Sequence, residues 1–172
     1  GEEKVQRTFN YNFAATEIKN TTIFTYDGND ALTESITYRG ELAWNNPPTT
    51  ASVVPDEFKA TDLDAEGNVV SGAAWHKRIS VSEYLGNPGE EKVQNTWNYN
   101  FDGTQLKSVT EFNYVTDVLK KTESFRIQDG LVKFDTADFI KGNQQSISHY
   151  TGNEGEEKVQ RTFNYNFAAT EI

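Results

Sequence analysis

The stretch GEEKVQRTFNYNFAATEI stands at positions 1–18 and again, unchanged, at 155–172. An edited version, GEEKVQNTWNYNFDGTQL, occupies 89–106. Its likeness extends upstream, where Tyr84-Leu85-Gly86-Asn87-Pro88-Gly89 matches Tyr150-Thr151-Gly152-Asn153-Glu154-Gly155. Self-similarity at this scale dictates architecture before any local propensity does. Drift within one compact domain does not leave 18 consecutive residues intact, so the chain is expected to be one period of 154 residues from a longer tandem array, with the start of the next at 155–172.

The three copies divide the period into a first half-repeat, 1–88, and a shorter second one, 89–154. Thr33-Glu34-Ser35 matches Thr122-Glu123-Ser124, which makes the halves one ancestral unit, duplicated and then made unequal. The excess falls at about 45–72, a segment holding Pro47, Pro48 and Pro55 and lacking sustained alternation. It reads as an inserted loop, and loops on a rigid scaffold are where recognition most readily sits.

Inside the copies the alternation is strict. Val5, Arg7, Phe9, Tyr11 and Phe13 fall on one face of an extended segment, and Gln6, Thr8, Asn10 and Asn12 on the other. A period of two is the signature of a strand, whereas a helix would spread these residues around its circumference. The middle copy keeps the pattern with Val93, Trp97, Tyr99 and Phe101, and the last with Val159, Phe163, Tyr165 and Phe167. Phe9 to Trp97 is then an aromatic exchange on the apolar face. Asp27-Gly28-Asn29-Asp30 and Asp102-Gly103 lie between alternating runs, where Asp-Gly marks a hairpin; Gln128-Asp129-Gly130 is a third such break, before a run at 131–134. The expectation is an all-β module of nine or ten strands, tandem antiparallel hairpins open at both ends, with the strand at 4–13 pairing with or continuing a neighbouring unit. The spacings of 88 and 66 are both multiples of 22, which makes a β-solenoid an alternative, as is a β-sandwich. The blocks between copies do not resemble one another, however, and a solenoid shows its register in every coil.

A formal charge of -10 argues against nucleic acid or an anionic membrane surface as partner, because each requires a basic face. No apolar run reaches the length of a membrane helix. The absence of both Cys and Met removes disulfide and zinc-thiolate chemistry and suits exposure outside the cell.

The run Phe24-Thr25-Tyr26-Asp27-Gly28-Asn29-Asp30-Ala31-Leu32-Thr33-Glu34-Ser35-Ile36-Thr37-Tyr38 resembles the repeat of the YD-repeat (rearrangement-hotspot) proteins: an aromatic-x-Tyr-Asp strand, a Gly/Asn turn, then Leu-Thr and a second strand. Looser matches run over 9–24, 97–112 and 112–125, where Asn or Val replaces the Asp and the Gly-Arg before the Leu is missing. The resemblance implies consecutive hairpins on a large bacterial surface or secreted protein, and in its fuller form a shell enclosing a toxin.

Chemistry has few footholds. Asp62, Asp64 and Glu66 stand at alternate positions before Gly67, the opening of a calcium loop's spacing, but its twelfth position is Ala73 rather than Glu. A solvated acidic turn explains them as well. His76 and His149 lack ligand spacing, and there is no nucleophile elbow or phosphate loop, so no enzyme is expected. Trp44 and Trp75 flank the insertion and are candidate stacking surfaces for glycans. The reading that follows is a structural repeat of an extracellular fibre, tube or stalk, self-associating or tandem, needing no cofactor. A carbohydrate-binding or adhesive surface module and a toxin-enclosing shell are the alternatives.

Overall fold

The computed structural model describes residues 3–41, 77–128 and 140–166. Among them nine strands form one antiparallel sheet: β1 (Arg7–Tyr11), β2 (Ile18–Tyr26), β3 (Leu32–Arg39), β4 (Arg78–Leu85), β5 (Lys92–Tyr99), β6 (Leu106–Val115), β7 (Val118–Ile127), β8 (Lys141–Thr151) and β9 (Lys158–Asn164). Their spatial order is their chain order, so every strand hydrogen-bonds to its sequence neighbours, with β1 and β9 as the two edges. The sheet is an open meander without a helix, the all-β hairpin module that alternation predicts. The run at 131–134 lies outside the described residues, as does the insertion at 45–72.

The first strand is shorter than the alternating run at 4–13, for a local reason. The Asn12 side-chain oxygen accepts the Thr16 backbone N–H at 3.0 Å and bends the chain into a turn. Asn100 does the same in the middle copy, accepting from Thr104 at 2.9 Å. This Asx turn supplies in the side chain what the backbone would otherwise need, so the last Asn of each polar face, Asn12 or Asn100, is a turn residue. The Asp27-Gly28 turn is closed similarly, with the Asp27 carboxylate accepting from Asn29 at 2.8 Å and Ala31 at 2.9 Å. The β6–β7 turn has no glycine: Thr116 and Asp117 both take positive φ, 50° and 64°, the backbone of a two-residue hairpin.

Register follows one rule across the sheet. In seven of the eight strand pairs the regular pairing shifts at a tyrosine: Tyr11, Tyr26, Tyr38, Tyr84, Tyr99, Tyr114 and Tyr150. In the remaining pair the shift falls at Phe125. Each of these aromatics ends its regular run opposite a following strand that carries one extra residue, such as Lys19, Gln94 or Lys107. A bulge of this kind bends and twists the ladder, and seven of the pairs carry one such shift while β7–β8 carries two, on either side of Phe125.

Between the bulges, the regular register makes the four-strand unit translational. A row of partners runs Arg7, Ile23, Ile36, Val81, Trp97. It begins at Arg7 and ends on the counterpart of Phe9, two residues along the copy. From Asn95, the counterpart of Arg7, a second row runs through Glu111, Glu123 and Ile147 to Phe163, again the counterpart of Phe9. Each unit of four strands, about 19 Å across, therefore steps by about 7 Å along the strands. The same comparison corrects the sequence match of Thr33-Glu34-Ser35 with Thr122-Glu123-Ser124. In space Ser35 corresponds to Thr122, since Ser35 bonds the Tyr84 hydroxyl at 3.1 Å and Thr122 bonds that of Tyr150 at 3.4 Å. Local sequence likeness slips by two, because the β6–β7 hairpin is one residue shorter than β2–β3 between paired positions while the sequence match makes it one longer.

The two faces differ in chemistry. On one, hydroxyls pair across strands: Thr22 with Thr37 at 3.0 Å, Ser82 with Thr96 at 2.9 Å, Thr110 with Ser124 and Ser148 with Thr162 at 2.8 Å. On the other lies the core, Val81, Trp97, Tyr99, Leu106, Val109 and Ile127, with Ile36 and Phe125 packed against it. It sits in the middle strands and fades toward the edges. Trp97→Ala should therefore cost about 3–5 kcal/mol, as a buried aromatic does, whereas Phe9→Ala at the half-exposed edge should cost markedly less. Urea unfolding of the two variants measures the difference, and equal losses would contradict a core centred on β5.

Candidate functional site: the Gly-Glu-Glu-Lys turns

Apolar character does not by itself set burial at the repeated positions. Trp97 and Tyr99 are 3% and 8% exposed, but Tyr11, the counterpart of Tyr99, is 55% exposed. Val5, Phe13 and Val159 are exposed as well, and Phe9, Val93, Phe163 and Tyr165 are half-buried. The expected continuous apolar face is thus corrected to a buried middle copy flanked by exposed edge copies. An edge strand has a neighbour on one side only, and that removes half the cover. Phe101 departs for another reason. It is 70% exposed and forms a platform beyond the strand, with the Arg39 guanidinium 4.5 Å and the Lys77 ammonium 5.5 Å from its ring. Arg39 also donates to the Phe101 carbonyl at 3.1 Å. Gly103 closes this turn against the preceding connection, where an added Cβ would lie 2.5 Å from the Arg78 nitrogen. Phe167, Trp44, Trp75, Asp62, Asp64 and Glu66 lie outside the described residues, as does His76. His149 is exposed on β8 and meets the Phe163 ring edge-on at 6.1 Å. Among the described residues no cluster of His, Asp and Glu is arranged to hold a metal ion.

What the structure brings together is the charged opening of each copy. The turns between β2 and β3, β4 and β5, β6 and β7, and β8 and β9 share one end of the sheet. There Glu91 reaches back to the preceding hairpin and accepts the Leu32 backbone N–H at 2.9 Å, while also accepting from Gly89 at 2.9 Å. Glu157, its counterpart in the last copy, accepts the Leu119 N–H at 3.1 Å. The next residue reaches forward. Lys4 contacts the Asp30 carboxylate at 3.1 Å, and Lys92 contacts Asp117 at 3.0 Å. Lys92 is held additionally by Glu154 at 2.6 Å. The middle pair, Glu91-Lys92, thus ties its own turn to the hairpin before it and the hairpin after it, while Lys4 makes the forward tie and Glu157 the backward one.

Two backbone donors on one carboxylate favour its ionised form. The Leu32 N–H, followed by further backbone bonds, holds the Glu91 carboxyl below the ordinary carboxylate range, and the Leu119 N–H does the same for Glu157. Lys92 moves the other way, its ammonium stabilised first by the Glu154 bond and then by Asp117. A shallow groove bounded by Leu85, Asn87, Lys92, Tyr114, Asp117 and Glu154 runs between the turns. Lys92, Asp117 and Glu154 are engaged with one another there, so the arrangement positions hairpins.

Sequence reasoning passed over Glu91, Lys92, Glu157, Lys4 and Asp117 in favour of the aromatics. The signal was there, since Glu-Glu-Lys is unchanged in all three copies while Arg7 and Phe9 are replaced by Asn95 and Trp97 in the middle one. The glutamate's partner is a main-chain N–H, which leaves no trace in residue identity. Comparison with protein-family models finds no match, and comparison with curated proteins finds none either.

A carboxyl whose pKa is lowered by folding contributes stability above its ordinary value and loses it as pH falls through the lowered one. Glu91→Gln should therefore lower the urea midpoint at neutral pH, with the gap to the parent chain closing below about pH 4. Glu90→Gln, one residue away, should leave the acid limb in place. A gap that persisted unchanged at acid pH would show that the ionised carboxylate is not what the Leu32 N–H requires.

Proposed function

We propose that the chain is a structural, non-catalytic repeat of an extracellular fibre, tube or stalk, whose work is to continue one antiparallel sheet unit after unit. The observation that carries this reading is the repetition of the unit boundary. The β4–β5 and β8–β9 turns make the same carboxylate bond to the hairpin behind them, and both units advance the register by the same two residues. A boundary that repeats itself has no natural stopping point, which is how stacked repeats bury edges that one unit alone leaves open. The acidic balance, the lack of oxidisable sulfur and the YD-type hairpin run support placement outside the cell. The insertion at 45–72 is the segment such a scaffold would display.

Chains carrying one, two and three joined periods of 154 residues test the reading. Small-angle scattering should show the longest dimension growing by about 40 Å per period, for eight strands at ordinary sheet spacing. The denaturant m-value should rise with each added period as cooperativity spans the boundary. A constant m-value with beads-on-a-string scattering would mean that the periods are separate domains and would remove the basis for the proposal.

A further inference from the structure

We propose that separate copies of this chain join by strand exchange, the β1 of one copy displacing the β9 of another from the β8 edge. This rests on the sheet-extending role proposed above and names the partner: a second copy, entering by a specific strand. Positions 155–166, which contain β9, are identical to 1–12, which contain β1, so every contact that holds β9 in its own chain can be made by the incoming strand. Thr162 bonds Ser148 at 2.8 Å, and the residue arriving in its place is Thr8. Glu157 accepts the Leu119 N–H, and its replacement is Glu3. Phe163 stands against His149, and its replacement is Phe9.

The exchange conserves strand pairing. Before it, each copy has its full set of eight strand interfaces. After it, the receiving copy has lost one, the junction has gained one, and the donor keeps its own. What differs is entropic: the displaced β9 regains chain freedom, and two molecules become one. The incoming strand also brings a group that its own chain leaves exposed. Phe13, 109% exposed, is the counterpart of Phe101, whose ring lies under Arg39. At the Arg39 position the receiving unit carries Arg126, since Arg39 pairs with Asn20 and Arg126 with Ser108, the counterpart of Asn20. The resulting contact is heterologous, the geometry that propagates into filaments.

The chain contains no cysteine, so a disulfide can report the junction. Thr8→Cys and Ser148→Cys variants of the 172-residue chain, refolded together from urea and oxidised with copper–phenanthroline, should give a covalent heterodimer. Within one chain these positions lie on β1 and β8, about 33 Å apart across seven strand spacings, too far to bridge. Thr25→Cys with Ser148→Cys is the control, and an equal yield there, or no dimer with Thr8→Cys, overturns the proposal. Two variant pairs set the sign. Gly152 has φ +129°, with an added Cβ 2.6 Å from the Glu156 oxygen, so Gly152→Ala strains the turn that exchange abandons and should raise the yield severalfold. Gly86→Ala imposes the same 2.6 Å clash on a turn that exchange retains and should not raise it. Glu157→Gln weakens the resident strand and should raise the yield, while Glu3→Gln weakens the incoming one and should lower it. Variants that all move the yield together would mark general unfolding and reject exchange. Joined periods that extend while no junction disulfide forms would defeat the exchange alone; failure of both would defeat the sheet-extending reading with it.

Discussion

The constraint on which the rest depends is a register shift set by an aromatic residue near the end of each strand. In an antiparallel sheet a slip of one residue turns every side chain to the wrong face, so register has to be fixed pair by pair. Here a tyrosine, or Phe125 in one case, fixes it by ending the regular run opposite a following strand with one residue to spare. Because strands alternate in direction, these bulges fall at alternate ends of successive pairs. The two-residue step from unit to unit is carried by the regular register between these bulges, and it is the same in both units despite loops of unequal length. The irregularity is periodic, and that is what lets an irregular sheet repeat.

The latch at the turn end depends on that step. Glu91 meets the Leu32 N–H only if the hairpin behind it is displaced by the right amount, and Glu157 meets Leu119 on the same condition. Exposed ion pairs contribute little each and are screened by salt. The Lys4–Asp30 and Lys92–Asp117 pairs, lying at the rim, therefore set alignment more than stability. Stability comes from the centre, where Val81, Trp97, Val109 and their neighbours lose water because strands flank them on both sides. The division of labour is spatial: apolar burial in mid-sheet, register at the strand ends, unit-to-unit alignment in the turns.

Much of this was legible beforehand. Alternation located β1, β5 and β9, and Asp-Gly located two of the turns. The β6–β7 hairpin was harder to read, since Thr116 and Asp117 take left-handed conformations without a glycine to announce them. The match of Glu34 with Glu123 was misleading, because the true counterpart lies two positions away, in a hairpin one residue shorter rather than one longer. Tyr11 and Tyr99 were read as apolar-face residues, and the place they share with five other tyrosines at the register shift appears only when partners on adjacent strands are known.

The sequence by itself determined that the chain is a strand-rich repeat and that its terminal copies are identical, because periodicity and identity are properties of the chain alone. It could not determine which copy would be buried. Tyr11 and Tyr99 sit in nearly the same local sequence, and one is exposed while the other is core. That difference was decided by tertiary structure, for the physical reason that burial in a sheet comes from the strands on either side. A strand has two neighbours in the middle of a sheet and one at its edge, whatever its residues are.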